Sequence, residues 1–271
     1  MDIVRPRVLN DPPLPSETAT AVEAAATLAG RMLGALAAAT DGAGRVDYAR
    51  LAASGAFADA VEAARRLGGV RLATLPDRGA RLAFWINAYN ALVLHGIVSL
   101  GVRRSVARAR NFFGRARYRI DGVVFSVDDI EHGVLRGNRR RVVPPLRPFG
   151  RRDPRRAHAL EPPDPRIHFA ITCGARSCPP AGVYRAAAID AQLDLATRSF
   201  VNQEVTLEGN RLVCPRLFKW YRHDFDAAAG VGAFLLRYLD DGPARQALVS
   251  DAPPCVVFHA YDWSLQHPAL E

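Results

Sequence analysis

Cys178 is the residue of this sequence best suited to nucleophilic chemistry. It lies in a predicted turn, residues 174–180, so its thiol is expected to be partly exposed. Arg176 precedes it by two positions, and a nearby cation lowers the pKa of a thiol and favours the reactive thiolate. Pro179 and Pro180 restrict the following chain and fix the direction of the sulfur. Cys178 is therefore the candidate nucleophile, and the alternative is a structural cysteine without chemistry.

A nucleophilic cysteine requires a base, and several imidazoles are available. The candidates are His168, His132 and His223, which the sequence does not rank. Glu131 and Asp262 are carboxylates of the kind that orient an imidazole. We predict that five residues converge on one pocket near the carboxyl end of the predicted strand that ends at Cys173: Cys178, His168, His132, Glu131 and Asn87.

His168 and Cys173 lie in an almost continuous apolar run, residues 166–173, which predicts a central strand. A separation of five residues places their side chains on opposite faces of a strand, so they do not form a nucleophile–base pair. Cys173 ends the predicted strand, where binding sites often lie, and is a candidate substrate-binding residue with Arg176 and Asp262. A purely structural role for His168 and Cys173 is the alternative.

Cys173, Cys178 and His168 also have the residue types of a zinc site. Structural zinc takes four ligands, usually with a closer pair of cysteines, so we predict no metal. A disulfide between the two cysteines is geometrically feasible but is not expected in a reducing cytoplasm. The sequence has no phosphate-binding glycine loop and no HExxH motif, and we predict no cofactor.

Three polar residues, Asn87, Asn90 and His95, interrupt the apolar segment 81–97, which predicts an enclosed helix. A buried amide or imidazole without partners costs about 1–3 kcal/mol, so we expect all three to be buried and hydrogen-bonded. Asn87 and Asn90 share one face of the helix. They either tie the helix to a backbone loop or line a pocket as candidate substrate-binding residues.

Positive charge is concentrated in two segments, although the formal net charge of the whole chain is +9. Residues 103–119 hold seven Arg and no acidic residue, and residues 136–156 hold nine Arg and one Asp; Lys219 is the only lysine. Such segments can bind phosphate, nucleic acid or carboxylates. We interpret both as solvated surface, expect no nucleic-acid partner, and expect any such binding to fade steeply with salt.

The periodicity of the remaining chain predicts alternating helices and hairpins. Helices are predicted at residues 16–39, 55–67, 81–97, 130–136, 186–202 and 231–240, hairpins at 118–125 and 205–213, a last strand at 255–258, and a long surface loop at 138–165. This mixture without internal repeats predicts a single α+β domain at residues 16–271, in which a helical N-terminal part packs on a small mixed or antiparallel sheet. Residues 1–15 are predicted to be an extended lead-in.

The composition is that of an ordinary globular protein, with 49% hydrophobic and 23% charged residues among 271. It excludes collagen-like, disordered and cysteine-rich secreted classes. The first residues lack the charged-then-apolar pattern of a signal peptide. The apolar run at 82–100 contains three polar side chains that a bilayer would disfavour. We therefore expect a cytoplasmic protein that does not enter a membrane.

Several ordered motifs resemble the family called domain of unknown function 547 (DUF547). The motifs span about residues 75–266 and comprise residues 84–97, 128–136, 164–179, 218–225 and 261–265. The resemblance implies the family's fold but no activity, because the family name records none. Thr172 and Gln266 stand where the family tends to have Asn, which would alter the site if either Asn orients a catalytic group.

Two hypotheses for the function follow. The first is a cysteine-dependent acyl-transfer enzyme, hydrolase- or amidase-like, that acts on a small molecule or peptide through Cys178. The second is a non-catalytic binding or scaffold domain in which the polar motifs serve the fold. Fast labelling of Cys178 by a thiol reagent would favour the enzyme.

Overall fold

The computed structural model describes residues 5–16, 20–42 and 46–265, and its N-terminal half is organised around one long helix. The helices of this half are α1 (Ala21–Ala38), α2 (Tyr48–Ala53), α3 (Gly55–Arg66), α4 (Arg78–Ser99) and the short α5 (Phe112–Arg115). Helix α4 is buried on every face from residue 82 to residue 97. Helix α1 packs against α4 and α3 through a face rich in alanine, whose small side chains allow close approach.

The ends of these helices carry the expected capping signals. The Thr20 side chain accepts a hydrogen bond from the Glu23 backbone N–H, and the Glu23 carboxylate accepts one from the Thr20 N–H. Helix α1 thus starts at Ala21, and the predicted start at Ser16 is wrong. Asp77 caps α4 by accepting from the Ala80 N–H at 2.8 Å, which places the start of α4 earlier than predicted.

The first sheet joins the predicted hairpin to the beginning of the chain. Its strands are β1 (Arg7–Val8), β2 (Ala116–Ile120) and β3 (Val123–Ser126), with β1 parallel and β3 antiparallel to β2. Asp121 and Gly122 both have positive φ, as a tight hairpin turn requires, so the predicted hairpin is confirmed. Within the segment predicted to be a lead-in, Asn10 is fully buried and hydrogen-bonds the backbone of Arg119 in both directions.

The second sheet lies in the C-terminal half. Its strands are β4 (Thr206–Glu208), β5 (Arg211–Cys214) and β6 (Cys255–Phe258), with β4 antiparallel and β6 parallel to β5. The helices around it are α6 (Ile189–Glu204), α7 (Leu217–Trp220), α8 (Gly230–Tyr238) and α9 (Pro243–Leu248). The protein is an α+β fold with two small mixed sheets in the described residues, where the sequence predicted one.

The hydrophobic residues form two clusters, one in each half. The first is centred on α4 and includes the buried Trp85 and Phe84. The second is aromatic and includes Phe169, Phe218 and Phe225. The segment that carries His168 runs between the clusters, because Ile167 belongs to the first and Phe169 to the second.

This position explains why the predicted strand at 166–173 is wrong. The segment begins as a 3₁₀ helix, Pro165–Phe169, and continues as irregular chain outside any strand. Asp164 caps it by accepting from the Arg166 N–H at 2.9 Å, and Pro165 suits the first helical position. The apolar run reflects burial between two cores rather than a place inside a sheet.

The arginine-rich loop at 138–165 is more structured than predicted. It contains the 3₁₀ helix Pro154–His158, and Phe149 is buried against Gly133, where a Cβ would lie 2.3 Å from the Phe149 ring. The side chain of Asn138 bonds both the N–H and the C=O of Phe149 at 3.0 Å. The loop therefore packs onto the segment that carries Glu131 and His132.

Two described helices, α1 and α4, are long and apolar enough to cross a membrane by length and composition. For α4, 83% of the apolar window is buried inside the protein. Its apolar character is accounted for by its place at the centre of the first cluster.

Candidate functional site

A partly open cavity of about 640 Å³ lies where the two hydrophobic clusters meet. Its lining includes four of the five residues predicted to converge: Cys178, His168, His132 and Glu131. Asn87, the fifth, does not line it. Cys173, predicted to bind substrate, also lines the cavity.

The two cysteines of the cavity form one cluster with Tyr261. The Cys173 and Cys178 sulfur atoms are 2.7 Å apart, and the Tyr261 hydroxyl lies 3.2 Å from the first and 2.9 Å from the second. The backbone N–H of Cys173 donates to the Cys178 sulfur at 3.1 Å. The Cys178 sulfur thus lies within hydrogen-bond distance of one N–H, one thiol and one hydroxyl.

This arrangement separates the acidities of the two thiols. Burial acts to raise the pKa of Cys178, but hydrogen bonds from Cys173, Tyr261 and the Cys173 N–H outweigh it and hold the pKa below its ordinary value. The hydrogen bond to Cys178, together with burial, raises the pKa of Cys173 well above its ordinary value. Of the two thiols, Cys178 is therefore the one that ionises more readily.

Helix α4 holds the chain that leads into this cluster. The Asn90 amide donates to the Ala170 carbonyl and accepts from the Thr172 N–H, both at 2.9 Å. The Thr172 hydroxyl then accepts from the Gly174 N–H at 3.1 Å. Gly174 has φ +80°, and a Cβ there would lie 2.5 Å from Ile97, so only glycine fits this turn.

Asn90 and Thr172 therefore shape the turn and do not line the cavity. The Asn90 amide bonds backbone on both sides, which is the structural alternative; that it also binds substrate stays a prediction. Thr172, one of the two departures from the family pattern, donates its backbone N–H to the Asn90 side chain and accepts at its hydroxyl from the Gly174 N–H. Gln266, the other departure, lies outside the described residues.

The turn docks on the C-terminal segment through its exposed side. The Arg176 N–H donates to the Ser264 carbonyl at 2.8 Å, and the Ser177 hydroxyl accepts from the Asp262 N–H at 2.9 Å. The Arg176 guanidinium lies 3.6 Å from the Asp262 carboxylate, with both side chains more than half exposed. Neither lines the cavity, so the structure brings Arg176 to Asp262 rather than to Cys178, and it brings Asp262 to no imidazole among the described contacts. That Arg176 and Asp262 bind substrate stays a prediction.

Glu131 also lines the cavity and is held there by its hydrogen bonds. It belongs to a π-helix, Asp129–Leu135, whose start is fixed by reciprocal hydrogen bonds between Ser126 and Asp129. Its carboxylate accepts from the hydroxyls of Tyr89 and Tyr221, each at 2.8 Å. Burial acts to raise the pKa of Glu131, but nearby positive charge and the two hydroxyls hold it below the ordinary value. Glu131 is thus a charged, fully engaged acceptor.

His132 follows Glu131 and is also buried. Its Nδ1 lies 3.0 Å from Nη1 of Arg136, which can only donate, so Nδ1 accepts and the proton of the neutral ring is on Nε2. Nε2 is 3.9 Å from the Asp128 carboxylate. Burial lowers the pKa of His132 to about 4 and raises the pKa of Asp128 to about 6.

His168 is oriented by a carboxylate that the sequence analysis did not select. Its Nε2 lies 2.9 Å from Oδ2 of Asp224, and the two side chains are 2% and 1% exposed. Arg136 binds the same carboxylate through Nε at 2.5 Å and Nη2 at 3.1 Å. The His168 ring stacks on Tyr221 with centroids 4.1 Å apart. Although burial acts to raise the pKa of Asp224, these hydrogen bonds hold it well below its ordinary value.

Arg136 also corrects one sequence interpretation. The arginines at 136–156 were expected to be surface features, but Arg136 is buried on Asp224, and Arg139 reaches the same carboxylate at 3.0 Å. Arg155 pairs with Asp129 at 2.9 Å. Part of this segment therefore neutralises buried carboxylates beneath the cavity.

Asn87 and His95 are buried and hydrogen-bonded, as predicted, but away from the cavity. The Asn87 amide bonds the backbone N–H and C=O of Tyr184 at 2.9 and 2.7 Å. His95 Nδ1 lies 3.0 Å from the Tyr118 hydroxyl. Asn87 therefore does not converge with the cavity residues, and both polar atoms of its amide bond the backbone; that it binds substrate stays a prediction. His223, the third candidate base, is exposed and pairs with Asp226.

One wall of the cavity is aromatic. Trp220, Tyr261 and Trp263 contact one another with ring centroids 4.6–5.7 Å apart. Asp224 and these rings lie in the 218–225 and 261–265 motifs, but their pairing across the chain is not visible in the spacing. In the described part of the chain, no group of three His, Cys, Asp or Glu side chains is placed to hold a metal ion.

A comparison with protein families assigns the central segment of the chain to a known family. Residues 72–201, which carry Glu131, His132, His168 and both cysteines of the cluster, match the family model described as Protein of unknown function, DUF547. No curated protein and no solved structure matches the chain.

Proposed function

We propose that this DUF547 domain-containing protein is a cysteine-dependent acyl-transfer enzyme of the hydrolase or amidase type. The observation that carries the proposal is the shared cavity, in which a thiol with lowered pKa lies with an imidazole bonded to a buried carboxylate. A nucleophile, a base and a group that orients the base are the elements that this chemistry requires.

The base in this proposal is His168. Because its Nε2–H donates to Asp224, its Nδ1 carries the lone pair that accepts a proton. Asp224 fixes this tautomer and stabilises the imidazolium that forms, while Arg136 keeps the carboxylate charged. His132 is the weaker candidate, since its only lone pair accepts from Arg136.

The reaction proceeds in two halves. His168 Nδ1 first takes the Cys178 proton, which gives a thiolate and an imidazolium. The thiolate attacks the acyl carbonyl, the tetrahedral intermediate collapses with cleavage of the C–N or C–O bond, and the imidazolium gives its proton to the departing amine or alcohol. Water then attacks the thioester and transfers a proton to His168, which releases the acid and restores the thiolate. The backbone N–H of Cys178 donates to the Ala175 carbonyl, so we assign stabilisation of the oxyanion to the Tyr261 hydroxyl, 2.9 Å from the sulfur.

The cavity limits the substrate. Part of the space in the cavity is open to solvent, and the enclosed part suits a small acyl group, which a small molecule or the side chain of a peptide can supply. The wall of Trp220, Tyr261 and Trp263 favours an acyl group with a flat apolar surface. The carboxylates of Asp128 and Glu131, which also line the cavity, disfavour an anionic substrate.

The test is to trap the acyl-enzyme. The whole chain is mixed with activated aryl esters, of which p-nitrophenyl acetate and p-nitrophenyl benzoate are the first two, and the protein is analysed by intact mass and peptide mapping. We expect one acyl group on Cys178, followed by its loss through hydrolysis. Cys178→Ser should abolish the adduct, and His168→Asn should slow its formation by about 10²–10⁴-fold, as loss of a general base does.

Cys255→Ser is the matched control, because Cys255 is an exposed thiol outside the cavity. It should leave the burst of p-nitrophenol and the acylation of Cys178 unchanged. An adduct confined to Cys255, or none at Cys178 with either ester, would overturn the proposal and favour the non-catalytic binding domain.

A further inference from the structure

We propose that Cys173 and Cys178 form a reversible dithiol–disulfide pair, in which Cys178 is oxidised first by a hydroperoxide and Cys173 closes the disulfide. This inference shares Cys178 with the proposed function, but the oxidation itself does not depend on acyl transfer. Only its consequence, the loss of acyl-transfer activity, rests on the proposed function.

The first argument is the approach of the two sulfur atoms. They lie 2.7 Å apart, which is closer than ordinary contact between non-bonded sulfurs and near the roughly 2.05 Å of a disulfide bond. Both side chains are partly exposed and line the same open cavity, so a small oxidant can reach them. A shift of a few tenths of an ångström in each side chain is sufficient to form the bond.

The second argument is the architecture of the connecting turn. Cys178 N–H bonds the Ala175 carbonyl at 2.9 Å, and Gly174 adopts a positive φ, so the chain folds back and brings position 178 over position 173. The Asn90 amide fixes the chain at Thr172, one residue before Cys173. The backbone thus holds the two thiols together before any bond is formed.

The third argument is the difference between the two sulfurs. Hydrogen bonds from Tyr261, from Cys173 and from the backbone stabilise the anion of Cys178, while Cys173 keeps its proton. A thiolate is the species that reacts with peroxides. One cysteine is thereby suited to react with the oxidant and the other to resolve the product.

The steps balance as follows. The Cys178 thiolate attacks the terminal oxygen of a hydroperoxide ROOH, whose O–O bond breaks to give RO⁻ and a sulfenic acid on Cys178. The Cys173 sulfur attacks the sulfenic sulfur, the S–O bond breaks, and the hydroxide that leaves takes the Cys173 proton and departs as water. Two thiols lose two electrons, and the peroxide gains them. A dithiol reductant reverses the reaction by exchange.

The other two cysteines are poorly placed for such a pair. Cys214 is buried at the end of β5, and Cys255 is exposed at the start of β6, where its register partner is Arg211 rather than Cys214. Among the described residues, the turn that joins Cys173 to Cys178 is therefore where two thiols are positioned to form a disulfide. Cys214 and Cys255 also serve as internal controls.

The experiment measures oxidation directly and uses no acyl substrate. The Cys255→Ser protein, which removes the exposed thiol, is treated with one equivalent of hydrogen peroxide and analysed by intact mass and by mapping of unreduced peptides. We expect the mass to fall by two hydrogen atoms, with Cys173 linked to Cys178, and dithiothreitol to restore it. Added dimedone should trap little sulfenic acid, because closure of the disulfide competes with it.

A second variant tests the order of events. With Cys173→Ser added, we expect Cys178 to be trapped by dimedone at least about tenfold more than in the parent, since the resolving thiol is absent. Cys214→Ser should behave as the parent. A thermal unfolding curve checks that each variant is folded. The disulfide measured in the Cys255→Ser parent does not depend on the variants.

The outcomes separate the two proposals. A Cys173–Cys178 disulfide in a protein that forms no acyl-enzyme would support the dithiol pair and overturn the acyl-transfer function. Retention of every thiol after peroxide, or equal trapping by dimedone with and without Cys173, would overturn the dithiol pair and leave the acyl-enzyme test untouched.

Discussion

Asp224 and His168 form a buried pair, with Oδ2 of the carboxylate 2.9 Å from Nε2 of the imidazole. The same carboxylate is bound by Arg136 and reached by Arg139, so its negative charge is offset from several sides. A buried carboxylate with such partners orients the imidazole and stabilises positive charge on it. Asp224 thus connects its ion pair with Arg136 to His168, the candidate base of the cavity.

Asp224→Asn should be strongly destabilising. The change leaves Arg136 buried without its counterion, which costs about 3–5 kcal/mol of the free energy of unfolding at pH 7. Urea denaturation of the variant and the wild type measures the difference. Asp226→Asn is the matched control, because that carboxylate is exposed, and it should change the free energy by less than about 0.5 kcal/mol.

The contribution of Asp224 to the free energy of unfolding should decrease as the pH falls. Its pKa in the folded protein is below the ordinary value of about 4, so its stabilising contribution is full above that value and is lost as the pH falls through the folded pKa. The difference between wild type and Asp224→Asn should shrink in acid. A difference that stays constant from pH 7 to pH 3 would contradict the ion pair.

Tyr261→Phe should slow the reaction of Cys178 with iodoacetamide at neutral pH. The change removes a hydroxyl that donates to the Cys178 sulfur, so the pKa of the thiol rises and less thiolate is present. The inflection of the rate against pH should move to higher pH. Tyr184→Phe, in the neighbouring groove, is the control, and an identical profile for both variants would show that the Tyr261 hydroxyl does not tune the thiol.

Asn90→Ala and Asn87→Ala should separate stability from reactivity. Each change leaves a buried backbone N–H and C=O without their partner, at about 1–3 kcal/mol for each group, so both variants should be less stable in urea. Asn90 holds the chain next to Cys173, whereas Asn87 holds Tyr184 outside the cavity. Only Asn90→Ala should also slow alkylation of Cys178, and equal slowing by both would contradict this division.

Asp128→Asn should stabilise the protein at neutral pH. Burial raises the pKa of Asp128 to about 6, so the unfolded chain loses this proton at lower pH than the folded protein. Stability is therefore full below the ordinary carboxylate pKa and is lost as the pH rises through about 6. The amide that replaces the carboxyl cannot ionise, so the free energy of unfolding of Asp128→Asn should exceed that of the wild type by on the order of 2–3 kcal/mol at pH 7 and by little at pH 4. A variant less stable than the wild type at pH 7 would contradict the raised pKa.

The sequence predicted the turn, the hairpins and most helices because these depend on local signals. Asp121–Gly122 and the cap at Asp77 are read from a few adjacent residues. The strand predicted at 166–173 failed because the same apolar run suits burial between two cores as well as burial in a sheet. Nothing local distinguishes the two cases.

The candidate site was predictable in its chemistry but not in its pairing. Cys178, His168 and Glu131 were selected because polar groups in apolar segments must find partners. Asp224 and Tyr261 were missed because they lie 56 and 83 residues from the atoms that they contact, His168 and Cys178. Arg176 was chosen for its nearness in sequence, yet its side chain turns outward to Asp262.

The central claim is that the cavity makes Cys178 the reactive thiol of this protein, and competition within the chain tests it most directly. The wild type is treated with a limiting amount of iodoacetamide from pH 5 to pH 9, and the labelling of Cys178 and of the exposed Cys255 is compared by peptide mass spectrometry. The account predicts that Cys178, although less exposed, is labelled faster below pH 7. Faster labelling of Cys255 at every pH would contradict it.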